Sequence, residues 1–160
     1  MVFGFDSGIN TYWSIATRTL SHKYKWIVLL RWLTIVSSST LFVTSLFFPA
    51  LLFQEVDPVT GGNLLAWGWW GLILGNPAWC ANPVFLMTVF VFLVKKYVFA
   101  LIGGGVAFVL GAFSFFANEY YFSEASSTPI VGLGLAFYIW RLSFGVFIVG
   151  SILLFVISKG

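Results

Sequence analysis

Charge is what this sequence has least of. Asp, Glu, Lys and Arg make up 8% of its 160 residues, against about 25% in soluble domains. That is too little to cover a water-facing surface, and with 60% hydrophobic residues and a mean hydropathy of +0.99 the chain is expected in a bilayer. A single cysteine, Cys80, excludes an internal disulfide, and a single histidine, His22, withholds the donors that zinc, haem and His-based catalytic sites require. The sequence has no HExxH, no Ser/His/Asp set, no glycine-rich phosphate loop and no clustered metal ligands, and five acids leave little material for acid–base chemistry. The expectation is a protein that is not an enzyme and holds neither cofactor nor metal. Its net charge of +3 is strung along segment edges rather than gathered on one face, which argues against nucleic acid and for the headgroups of a lipid bilayer as counterpart.

The charge that is present sorts by position. Arg18, Lys23, Lys25 and Arg31 precede or open the first long apolar run, Lys95 and Lys96 interrupt the second, and Lys159 closes the last. Glu55, Asp57, Glu119 and Glu124 lie in two intervening stretches that hold no Lys or Arg. By the Lys/Arg bias of short loops those stretches read as external, which places both termini in the cytoplasm of a bacterial inner membrane. Residues 1–25 lack the layout of a cleavable signal, so no cleavage is expected.

Apolar runs and breakers then predict an all-α integral membrane protein, a single membrane domain over residues 1–160. An interfacial amphipathic helix covers residues 1–25, with Asp6 and Ser7 as caps and Ile9, Tyr12, Trp13, Ala16 and Leu20 at helical spacing. Four transmembrane helices follow at 26–53, 78–96, 97–117 and 130–158, with an outer Trp-rich interfacial or re-entrant segment at 64–77. Residues 64–94 cannot be one span. They would make about 46 Å of helix at 1.5 Å per residue, interrupted by Pro77 and Pro83. Asn82 followed by Pro83 reads as a helix start, and Lys95–Lys96 as a tight turn.

Several side chains stand out. Arg141 lies within the last apolar run, where insertion of an arginine costs about 2.5–3.5 kcal/mol at the bilayer centre, so a partner or a water-filled pocket is expected. If its helix starts near Ile130, Arg141 approaches the midplane; if near Ala136, it can reach the outer interface with Glu119 or Glu124 as partner. Trp67, Trp69, Trp70 and Trp79 crowd into thirteen residues and suit an outer interface or a binding surface. Gly103, Ala107 and Gly111, four apart, and Ser37 and Ser38 are expected to let neighbouring helices pack closely. Cys80 and His22 read as a small apolar residue and a solvated interfacial one.

Together these features point to an accessory or scaffold subunit of a larger membrane assembly, working through helix packing and an outer aromatic surface toward a membrane-protein partner or a homo-oligomer. The alternative is an oligomeric transporter or channel for an anionic solute that uses Arg141. A third possibility is a quinone or similar lipid held against the outer tryptophans.

Overall fold

The computed structural model describes residues 7–123 and 126–159, and for 7–23, 123 and 126 the backbone alone. Asp6 and Glu124 therefore lie outside the described residues. The first element, α1, is one helix of 39 residues, Ser7–Ser45, about 58 Å long. It shows no break at Lys25, where an interfacial helix was expected to give way to the first span. It stops at Ser45 rather than running to residue 53, because Pro49 lies four residues on. A proline ring clashes with the carbonyl of residue i−4, here Ser45, and supplies no N–H to it.

The chain then turns into short strands, so the described fold is mostly helical but not all-α. Strand β1 (Pro49–Leu52) pairs antiparallel with β2 (Val59–Thr60), and Thr60 caps helix α2 (Gly61–Trp67) by accepting from the Asn63 N–H. Helix α3 (Trp70–Ile73) ends at Gly75, whose φ of +81° only glycine adopts at low cost. There the Asn76 N–H reaches the Gly71 carbonyl at 2.8 Å and the Gly75 N–H reaches Leu72, closing the helix end.

A 3₁₀ turn, Pro77–Cys80, leads straight into α4 (Ala81–Leu93). The helix start is therefore capped by the first Asn-Pro pair. Asn76 has extended backbone, its Oδ1 accepts the Ala78 N–H at 3.0 Å, and Pro77 occupies the first position. Asn82, expected to be that cap, sits inside the helix with its side chain free for another role. At the far end of α4 the Lys96 N–H bonds to Val91 and the Lys95 N–H to Phe92, a tight turn with Lys95 at φ +64°. Helix α5 (Tyr97–Ala112) continues as a 3₁₀ turn, Phe113–Phe116. Strands β3 (Glu119–Ser123) and β4 (Ser126–Pro129) pair antiparallel, β5 (Gly132–Leu133) adds to the other edge of β1, and α6 (Leu135–Lys159) closes the fold. The last helix thus begins five residues later than residue 130, the chain first being drawn into the sheet by the Val131 and Gly134 N–H groups on Leu52 and Ala50.

Among the described residues three helical stretches are long and apolar enough to cross a membrane: Tyr24–Ser45, Tyr97–Phe116 and Leu135–Lys159. The fourth apolar stretch, Pro77–Leu93, is shorter. Its 17 residues reach about 26 Å even if wholly α-helical, against about 30 Å of hydrocarbon.

The core is built of phenylalanine. Phe85 meets Phe42, Phe144 and Phe147 at centroid distances of 5.5, 4.7 and 5.5 Å, and Phe92 meets Phe147 at 4.9 Å. These offset and tilted pairs tie α1, α4 and α6 together. Helix α1 packs along α6, with Gly150 against Thr34, and the small residues Thr34, Ser38 and Ser45 of α1 and Ser143, Gly150 and Ser151 of α6 are all buried. The Thr34, Ser45, Ser143 and Ser151 hydroxyls each donate to a carbonyl three or four residues back at 2.6–2.8 Å, so close approach leaves none of them without a partner.

Candidate functional site

The structure separates the residues singled out from the sequence into three groups. The first is packing. Ser38 of α1 is fully buried, whereas Ser37 faces outward, exposed, its hydroxyl donating to Leu33 at 2.6 Å. Gly103 abuts Thr88 of α4, Ala107 is fully buried, and Gly111 abuts Trp140 and Phe144 of α6. One stripe serves two neighbours because a four-residue step overshoots the helical turn by about 40°, so eight residues rotate it from one helix to the next.

The second group is Arg141, six residues into α6 and so about 9 Å along it. Its guanidinium lies over the Phe108 ring at 4.1 Å from the centroid, with Phe115 at 5.6 Å and Phe137 at 5.7 Å. Three aromatic faces thus surround the guanidinium, and Glu124, the other expected partner, lies outside the described residues. Nη1 is buried and has no hydrogen-bond partner among the described residues. Glu119 is not brought to it. That carboxylate lines a cavity elsewhere and weakly accepts the Tyr121 hydroxyl at 3.4 Å.

The third group forms the candidate site, a cavity of about 1060 Å³ between the Trp-rich segment, the β-strands and the first turns of α6. Trp67, Trp70 and Trp79 line it, as sequence residues singled out for an outer surface, and Trp140 joins them from α6. Trp69 does not line it; it stacks on Trp70 at 4.6 Å and 24°. The Trp79 N–H donates to the Leu65 carbonyl at 3.0 Å, which anchors the 3₁₀ turn to α2. The Asn76 Nδ2 donates to the Phe113 carbonyl at 3.3 Å, tying the same turn to the end of α5. Trp140 Nε1 donates to Asn82 Oδ1 at 2.9 Å, joining α6 to α4. On the opposite wall burial pushes the Tyr120 phenol above its usual pKa.

The volume matches the upper range of small-molecule sites, about 300–1,000 Å³. Its wall is mostly apolar and aromatic, and among the described residues it has Glu119 as its only carboxylate and no lysine, arginine or histidine. Such a wall suits a large, weakly polar ligand and offers little to an anion. Among the described residues no cluster of three or more His, Cys, Asp or Glu could hold a metal. Arg141 does not line the cavity. Asn82 and Trp140, which sequence reasoning did not assign to a site, meet across 58 residues of chain; only the Asn-Pro spacing hinted that the first had a special position.

Comparison of the chain with protein-family models, with curated proteins and with solved structures gives no match.

Proposed function

We propose that this chain is a membrane-embedded binding protein, not an enzyme, whose outer cavity holds a lipid-like amphiphile. The observation that carries the reading is the cavity of about 1060 Å³ walled by Trp67, Trp70, Trp79 and Trp140. Aromatic rings bury large apolar area and keep a polar edge, which suits a ligand with an apolar body and one polar end. In this reading α4 and its preceding 3₁₀ turn complete a fourth crossing, and both ends of the chain lie on the cytoplasmic side of a bacterial inner membrane. The Trp-rich segment then sits at the outer face, where an amphiphile can enter from the lipid.

The accessory-subunit reading keeps one supporting observation, the exposure of Trp67 and Trp70 at the cavity and of Trp69 beside it. The two are separated by releasing the full-length protein from native nanodiscs into a mass spectrometer. A bound lipid-sized mass in the wild type, lost in Gly71→Trp, is the expected result. Gly71 lines the cavity, and a Cβ placed on it meets nothing closer than 3.6 Å, so a side chain can be added there to compete with a ligand for the space. A stoichiometric protein partner with no bound small molecule would overturn the proposal and favour the accessory role.

A further inference from the structure

Among the side chains of the cavity wall that are buried, Asn82 carries a hydrogen-bond donor that is unused among the described residues. An indole N–H can only donate, so the Asn82 atom it meets at 2.9 Å must be the carboxamide oxygen, and that contact settles which way the amide points. The Asn82 NH₂ is left on the other side. Its residue is 8% exposed, lines the cavity, and makes no hydrogen bond through Nδ2 among the described residues. The nitrogen itself is not sealed: among the described residues the buried side-chain atoms without a partner are Arg31 Nε and Arg141 Nη1, so an acceptor can reach Asn82 Nδ2. On the same wall Asn76 Nδ2, Trp79 Nε1 and the Tyr121 hydroxyl are spent on Phe113, Leu65 and Glu119, while Trp67 and Trp70 are exposed. Charge narrows the ligand further. An anionic head would meet the Glu119 carboxylate with no cation among the described wall residues to balance it.

We propose that Asn82, held by Trp140, is the specificity-determining residue of this cavity and donates to the carbonyl oxygen of an uncharged, carbonyl-bearing lipid. The inference rests on the cavity being an amphiphile site. Two sources share the chemistry, the ester carbonyl of a glycerolipid and the ring carbonyl of an isoprenoid quinone.

The test uses the full chain in nanodiscs, with quenching of tryptophan fluorescence by two probes, a short-chain quinone and a diacylglycerol brominated in its acyl chains. Whichever probe binds the wild type identifies the source. Asn82→Asp keeps an oxygen for the Trp140 N–H and replaces the NH₂ by an acceptor, so carbonyl binding is expected to weaken about tenfold or more. If neither probe quenches the wild type, or if quenching survives Gly71→Trp, the cavity reading itself falls and this inference with it. If Gly71→Trp abolishes quenching while Asn82→Asp binds as tightly as wild type, the cavity reading stands and the role of Asn82 is overturned. A wild-type measurement keeps the question open to refutation should Asn82→Asp fail to fold. The infrared carbonyl stretch of the bound, isotope-labelled probe is expected to move down from its value in lipid, and an unshifted band would remove the hydrogen bond.

Discussion

Replacing Gly150 by alanine adds one methyl group where α6 crosses α1, and the structure says where that methyl goes. A Cβ on Gly150 would overlap Thr34, whose own Cβ lies 2.8 Å away and whose Oγ1 and Cγ2 lie closer still. Carbon atoms pack best at about 3.5–4.0 Å, so relief requires either roughly 1 Å of helix separation or a rotation of Thr34. Rotation is not free. The Thr34 Oγ1 donates to the Leu30 carbonyl at 2.8 Å, and the residue is buried, so turning the side chain leaves a hydroxyl without a partner. Separation instead loosens the packing of α1 along α6, since a gap of 0.5–1 Å already forfeits about a quarter to a half of each contact's attraction. Either route places the cost at about 1–3 kcal/mol, the range for overpacking. The assay is thermal or SDS-driven unfolding of the purified protein in mild detergent, comparing wild type, Gly150→Ala, Thr34→Gly and the double variant. The double variant transposes the two sizes across the seam and is expected to recover at least half of the loss, a coupling that only contacting residues show. Gly150→Ala as stable as wild type, or a double variant no better than the sum of its parts, would refute the packing argument.

Two further outcomes follow from individual groups. Trp140→Phe removes the N–H that satisfies the Asn82 oxygen, and an unpaired buried acceptor costs about 1–3 kcal/mol; a melting temperature unchanged from wild type would show that the α4–α6 hydrogen bond does not form. The Tyr120 phenol, raised by burial, stays neutral in the folded protein at pH values where an unfolded tyrosine ionises. Its contribution is therefore fully present below the unfolded value of about 10 and is lost as pH rises from there through the folded value. The expected signature is a fall in stability beginning near pH 10 that is smaller in Tyr120→Phe, with phenolate absorbance as the check; identical alkaline profiles would contradict it.

Much of the architecture is readable from local chemistry. Scarce charge and long apolar runs imply membrane-crossing helices, and the helices Tyr24–Ser45, Tyr97–Phe116 and Leu135–Lys159 have the length and composition. The turn at Lys95–Lys96 and the break between residues 64 and 83 are equally local, because Pro, Asn and Gly limit the backbone wherever they stand. The end of α1 at Ser45 was also legible in Pro49, through a clash that depends on nothing beyond four residues of chain. The short strands were not. Two- to five-residue pairings such as Leu51 with Val59 and Leu133 join segments whose sequences carry no strand period, and form because distant backbone groups meet where the chain must satisfy them.

The site lies on the other side of that divide. Composition marks the Trp-rich segment as unusual, but a cavity is empty space left by elements that do not touch, and no residue encodes it alone. Its wall draws on α1, the segment from α2 to α4, the end of α5, β3 and the start of α6. The sequence determined that Arg141 is a charge in an apolar run; tertiary packing decided that it meets Phe108, Phe115 and Phe137 rather than Glu119. It determined that Asn82 precedes a proline, whereas the direction of its amide was decided by Trp140, 58 residues along the chain. The reason is the same in each case: helix, turn and span follow from neighbours in the chain, while the partner of a buried polar group is whatever the fold brings within 3 Å of it.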